Sequence, residues 1–120
     1  MPQPDPIRFR LTPCQRLRRP EDFKRVYDRK QRAGDHVLLL FAAPNELTHS
    51  RIGVSVGRKH GNSVVRHRIK RLVKEAFRIS QHALPSGFDF VAVPRQGETP
   101  SLAEITRSLE QLAKRVTRSK

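Results

Sequence analysis

Apolar residues recur every three to four positions in three stretches of the chain and fall into short strand-like runs in three others. The first helical stretch opens at Arg19-Pro20-Glu21-Asp22-Phe23. Proline is tolerated in a first helical turn, and carboxylates suit the positive end of the helix dipole. The spacing predicts a helix to about Lys30, with Phe23, Val26 and Tyr27 on one face. After Gly34-Asp35, the run His36-Val37-Leu38-Leu39-Leu40-Phe41-Ala42, bounded by Pro44-Asn45, predicts a strand covered on both faces. Arg51-Ile52-Gly53-Val54-Ser55-Val56 alternates instead. Ile52, Val54 and Val56 then share one face and small Gly53 and Ser55 the other, as in a half-covered strand.

Gly57 ends that strand, and Gly61-Asn62-Ser63 supplies a turn and an N-cap for the longest helix. Its apolar stripe is Val65, Ile69, Leu72, Val73, Ala76 and Phe77, with basic residues on the flank and far side. Phe88 to Val93 reads as a third strand, stopped by Pro94. A capping box, Ser101 to Glu104, opens a last helix with Ile105, Leu109, Leu112 and Val116 in register. The order helix, two strands, helix, strand, helix predicts an α+β fold, a small mixed sheet packed with helices. We divide the chain into a basic, weakly ordered arm over 1–18, a single domain over 19–116, and a basic tail over 117–120.

Charge changes the picture from fold to function. Against 11 Asp and Glu stand 25 Lys and Arg, a formal net charge of +14 in 120 residues. Such an excess repels itself in a compact monomer and points to a polyanionic partner, nucleic acid before anionic membrane. No apolar stretch approaches the ~18 residues of a membrane span, and the N-terminus lacks the apolar core of a signal peptide, so a cytoplasmic protein is expected. A lone cysteine, Cys14, forms no internal disulfide and no Cys-rich metal site.

Between Arg58 and Arg78 lie eight basic residues, Arg58, Lys59, Arg66, Arg68, Lys70, Arg71, Lys74 and Arg78, against one acid, Glu75. Solvated helix faces normally intersperse acids that form i, i+4 pairs. A nearly acid-free run suits the regular phosphates of a nucleic acid, which it binds with release of counterions. A membrane-surface helix is disfavoured because this apolar side has a sheet to cover and the chain has no tryptophan. Phe23, Tyr27 and Phe41 are a second constellation: rings among cations stack bases of a single strand, although their spacing alone favours core packing. Clustered carboxylates for a metal-dependent nuclease are missing, and His36, His49, His60, His67 and His82 follow no ligand spacing. Gly53, Gly57 and Gly61 read as turn and bulge residues, since they form no phosphate-binding motif.

The segment RIGVSVGRKHGNSVVRHRIKRLVKEAF, Arg51 to Phe77, closely resembles the signature of the bacterial ribonuclease P protein subunit. Gly53-Val54-Ser55-Val56, the pair Arg58-Lys59, Gly61-Asn62, Val64-Val65 and Arg66-x-Arg68-Ile69-Lys70-Arg71 stand at that family's spacing, and Pro20-Glu21-Asp22-Phe23 with Tyr27 is similar to its opening helix. One departure is His67, where the family usually has asparagine between two arginines. A protonated imidazole beside phosphates would make that contact pH-sensitive.

The resemblance implies an accessory subunit of an RNA-based endoribonuclease that removes the 5′ leader of precursor tRNA, with Mg²⁺ held by the RNA. It assigns binding of the ribonuclease P RNA to Arg58, Lys59, Asn62, Arg66, His67, Arg68, Lys70, Arg71 and Lys74, and leader binding to Phe23, Tyr27 and Phe41. No catalytic side chain, no obligate protein partner and no membrane partner are implied. A left-handed crossover between parallel strands is also implied, against the general rule. The alternative is a noncatalytic ribosomal or RNA-chaperone type protein, since a small basic α+β domain does not by itself fix function.

Overall fold

In the computed structural model, residues 15–118 are described. Three helices and four strands follow one another as α1 (Pro20–Arg29), β1 (Arg32–Gly34), β2 (Leu38–Pro44), β3 (Arg51–Val54), α2 (Ser63–Ser80), β4 (Phe88–Pro94) and α3 (Leu102–Arg118), with a 3₁₀ turn at Arg58–His60 before α2. The strands form one mixed sheet in the order β1-β2-β4-β3. β2 pairs antiparallel with both β1 and β4, while β3 runs parallel to β4, and α2 connects that parallel pair. The expected α+β class is observed. The short edge strand β1 was not expected, and β2 lies two residues beyond the apolar run that signalled it.

Alternation along the strands sorts the sheet into two faces. Leu38, Leu40, Ala42, Ile52, Phe90 and Ala92 point to α2 and α3, where Ile69, Val73, Phe77, Ile105, Leu109, Leu112 and Val116 complete the main core. The opposite face carries a smaller cluster, Val26 of α1 against Ala43 and Val91, ringed by half-buried Phe23, Tyr27, Phe41 and Val93. β2 is thus covered on both sides, as its unbroken apolar run predicts, but α1 covers its side only in part.

Helix ends follow the sequence chemistry. Pro20 opens α1 with Glu21 and Asp22 in the first turn, and Lys30 closes it in the left-handed region at φ 60°. Asn62 caps α2, its side-chain oxygen accepting from the Val65 N–H at 3.0 Å. The preceding Gly61 sits at φ +132°, which L side chains rarely adopt. Ser101 and Glu104 form the reciprocal capping box of α3 at 2.9 and 3.2 Å.

Residues 1–14 of the expected arm, with Cys14, lie outside the described residues, as do 119–120 of the tail. Residues 15–18 are already part of the domain. Arg16 forms a parallel bridge with Ile52, the Leu17 N–H donates to Ile52 O at 2.9 Å, and Leu17 is buried. This short segment covers the outer edge of β3.

Candidate nucleic-acid interface

Phe23 stands on the sheet because the sheet makes room for it. A Cβ on Gly53 would lie 2.6 Å from Phe23 Cζ and 3.0 Å from Leu17 Cβ. Gly53 is therefore neither a turn nor a bulge residue: it is a mid-strand gap into which the ring settles. This face of β3 is also not open, since Phe23 and Leu17 cover Gly53 and bury it. Four residues along α1, Tyr27 meets Phe41 edge to face, with ring centroids 4.9 Å apart. All three rings are half-buried, so each packs on the sheet and keeps an accessible side.

Beside Phe23 runs a cleft of about 320 Å³, lined by Arg16, Leu17, Arg18, Phe23, Gly53, Val54, Lys70 and Lys74. Its apolar wall comes from Phe23, Leu17 and Val54, and its cations come from two elements, the segment before α1 and one side of α2. Burial and then the charges of Arg16, Lys70 and Arg18 push the Lys74 ammonium below its usual range. Burial is the larger cause, and the three neighbouring cations add to it as a like-charge cluster. The Nε groups of Arg16 and Arg66 are buried without a hydrogen-bond partner.

α2 divides its cations between two surfaces. Lys70 and Lys74, one turn apart, face the cleft, whereas His67, Arg68 and Arg71 share the outward side of the helix with Ser63, Val64, Leu72 and Glu75. Val64 there is 65% exposed, unusual for a large apolar side chain. Arg58 and Lys59 are exposed on the 3₁₀ turn. That turn is pinned by His60, whose Nδ1 accepts from the Gly57 N–H at 3.1 Å while Nε2 lies 2.7 Å from Pro94 O. Asn62 is committed to the cap on its oxygen side. The α2 residues predicted to bind one RNA thus divide between two surfaces of the helix, while Arg58, Lys59 and Asn62 precede it. Arg16, Leu17, Arg18 and Gly53 join them unforeseen. The apolar Leu17 between two arginines was a readable signal, a strand-like alternation at the end of the presumed arm.

The end of the α1 face away from the cleft is neutralised internally. Asp89, fully buried on β4, accepts from Arg51 Nε at 2.7 Å and Nη2 at 2.6 Å, from Asn45 Nδ2 at 2.9 Å, and from Arg25. Burial alone would push the Asp89 carboxyl up. Hydrogen bonds from Arg51 and Asn45, then the charges of Arg51 and Arg25, outweigh it and hold the group below the usual aspartate range. This network ties β3, β4 and α1 together, and we read it as structural.

Among the described residues no group of three or more His, Cys, Asp or Glu is arranged to hold a metal ion, and no helix is long and apolar enough to cross a membrane. The polar donors of the cleft are guanidinium and ammonium groups, which repel a divalent cation, so the residues present do not fit Mg²⁺.

Comparison with known proteins gives a consistent answer. The family described as Ribonuclease P matches residues 11–117. The ribonuclease P protein component of Yersinia pestis is 42% identical over 102 residues, covering 83% of this chain and 85% of that protein. That of Lachnoclostridium phytofermentans is 39% identical over 99 residues, covering 82% and 85%. The solved RNase P protein from Thermotoga maritima superposes with a TM-score of 0.76 at 30% identity, over 83% of this chain and 96% of its own. A family match across nearly the whole described domain, relatives of similar length and a shared fold lead to one conclusion: the chain belongs to the ribonuclease P protein component family.

Proposed function

We propose that this protein binds the RNA subunit of ribonuclease P and the 5′ leader of precursor tRNA, and so promotes Mg²⁺-dependent removal of the leader by the RNA. In this reading the outward face of α2, with His67, Arg68 and Arg71, the exposed pair Arg58 and Lys59, and half-buried Arg66 in the first turn of α2 dock on the RNA subunit. Lys70 and Lys74 are reassigned to the leader side because they line the cleft beside Phe23. The observation that carries the reading is that cleft, with one aromatic wall and cations from two elements. Cations track a phosphate backbone, and exposed ring faces stack bases without demanding sequence.

The division of labour follows physically. Cations of α2 neutralise RNA phosphates, anchor the complex and release the RNA's counterions. The cleft adds binding energy that only leader-bearing precursor collects, so precursor is favoured over mature product by difference. Mg²⁺ is placed on RNA phosphates, and no protein side chain takes part in the chemistry. The site of action in this reading is the cytoplasm.

Precursor cleavage at low Mg²⁺ by a bacterial ribonuclease P RNA, with and without this protein and beside a protein-only control, tests the proposal. Rescue only when both are present is expected. Cleavage by the protein alone would overturn the RNA-based reading, and no effect would favour a general RNA-binding role. Phe23→Ala should reduce discrimination for leader-bearing tRNA while sparing assembly; retained discrimination would remove that ring from the leader site.

A further inference from the structure

A second basic surface lies at the other edge of the sheet. The end of α1, the start of β1 and the end of α3 converge there, the Gln31 side chain donating to Val116 O at 2.6 Å. Arg32, Arg115 and Arg118 meet at this corner, with Arg29, Lys30 and Lys114 close to them in the sequence. Segments 29–33 and 111–118 contain no acid, and the adjacent Asp28 is paired with Lys24 at 2.7 Å. Among the described residues, Arg32, Ala33, Arg115 and Arg118 line an open hollow. Cations at a helix C-terminus complement its dipole, but Arg32 belongs to a strand and gains nothing from that. Its position is set by pairing with Phe41, whose sheet face it shares.

β1 and β3 are the two edges of a four-stranded sheet, so about 14 Å separates them at roughly 4.8 Å per strand. Between the cleft at β3 and this corner, the sheet beside α1 leaves Leu39, Phe41 and Val93 only half-buried. A stacked strand leaving the cleft along these side chains reaches Arg32 after about four nucleotides, at roughly 3.4 Å each.

We infer that the corner formed by Arg32, Arg115 and Arg118 binds the phosphates of the distal 5′ leader, extending the leader site across the sheet. This rests on the leader reading above and adds a second contact separable from it. Single-stranded binding varies with salt as roughly −0.7 per phosphate neutralised, so each contact is worth about fivefold in affinity at 0.1 M salt relative to 1 M.

The test is the affinity of holoenzyme for two precursors, with leaders of about 3 and about 12 nucleotides, the first confined to the cleft by the spacing above. Arg32→Gln with Arg118→Gln should lower long-leader affinity by about 10- to 25-fold and reduce its salt slope by about 1.4. Short-leader affinity should stay unchanged, and Arg32→Lys with Arg118→Lys should restore the long-leader gain. Equal losses for both leaders would overturn the inference, because the corner would then touch the RNA subunit or the tRNA body. No loss for either would also overturn it. Failure of the underlying reading looks different: the wild type would then show no gain from the longer leader, and Phe23→Ala would leave short-leader affinity unchanged.

Discussion

Gly53→Ala adds one methyl group at the point where helix, sheet and cleft meet. Its carbon would stand 2.6 Å from Phe23 Cζ and 3.0 Å from both Phe23 Cε2 and Leu17 Cβ. Carbon pairs prefer about 3.5–4.0 Å, so the ring must move by roughly 1 Å. Overpacking of this kind costs about 1–3 kcal/mol. Phe23→Ala alone removes a half-buried ring and should cost about 2 kcal/mol, less than a core phenylalanine. With the ring gone, the two Phe23 contacts vanish and Leu17 Cβ remains at 3.0 Å, a residual crowding that offsets the gain of about 0.5–1 kcal/mol from replacing a strand glycine. The double variant should therefore be more stable than the sum of the singles by about 2 kcal/mol, read from urea unfolding of all four proteins. Gly53→Ala should also weaken precursor binding while leaving RNA-subunit binding intact. A loss below about 0.5 kcal/mol for Gly53→Ala, or effects that add within that margin, would refute the packing argument.

Asp89→Asn should destabilise the fold by about 2–4 kcal/mol at pH 7, because it leaves Arg51 without its buried partner. Asp89 titrates lower in the folded than in the unfolded chain, so its contribution is present above the unfolded value near pH 4 and fades as pH falls through the folded value. Urea midpoints between pH 2 and 7 should show a shallower acid limb in the variant; parallel curves would contradict this. Arg66→Ala with Arg71→Ala should weaken holoenzyme assembly, and for about six phosphate contacts the wild-type affinity should fall with log salt at a slope of roughly −4 to −5. Normal assembly by the double variant, or a slope near zero, defeats the docking assignment. Lys74→Gln relieves the crowding with Arg16, Arg18 and Lys70, so it should raise the melting temperature of the free protein at low salt and lower precursor affinity. A melting temperature unchanged at low salt, where repulsion is least screened, would refute the crowding argument.

The three helices were legible because each combines an apolar stripe with end chemistry. Ile105, Leu109, Leu112 and Val116 are all buried as their spacing requires, and Asn62 and Ser101 cap as their types suggest. β1 was not legible, since Arg32-Ala33-Gly34 has no apolar rhythm of its own and is a strand only because Ala33 pairs with Leu40. Gly53 was misread for a related reason. A glycine between apolar residues carries no mark of what will stand on it, and Phe23 comes to it from 30 positions earlier in the chain. Helical periodicity showed that α2 has a basic side. How those cations divide between two surfaces depends on how the helix lies on the sheet, which no local pattern encodes.

The acids show why the charge excess survives in a folded protein. Asp28 pairs with Lys24, Glu75 with Arg78, and Asp89 holds Arg25 and Arg51, with Asp22 3.8 Å from Arg51. These pairs lie within α1, within α2 or in the network under α1. None of them involves a cation that lines the cleft. The carboxylates thus relieve repulsion where elements must pack and leave it in place in the cleft, which can take phosphate. Any polyanion bound there stabilises the fold through its preference for the native state, in proportion to the logarithm of its concentration over its dissociation constant. Charge that weakens the isolated domain is the same charge that gives RNA its hold, so the stability of the free protein and its affinity for RNA trade against each other at these positions.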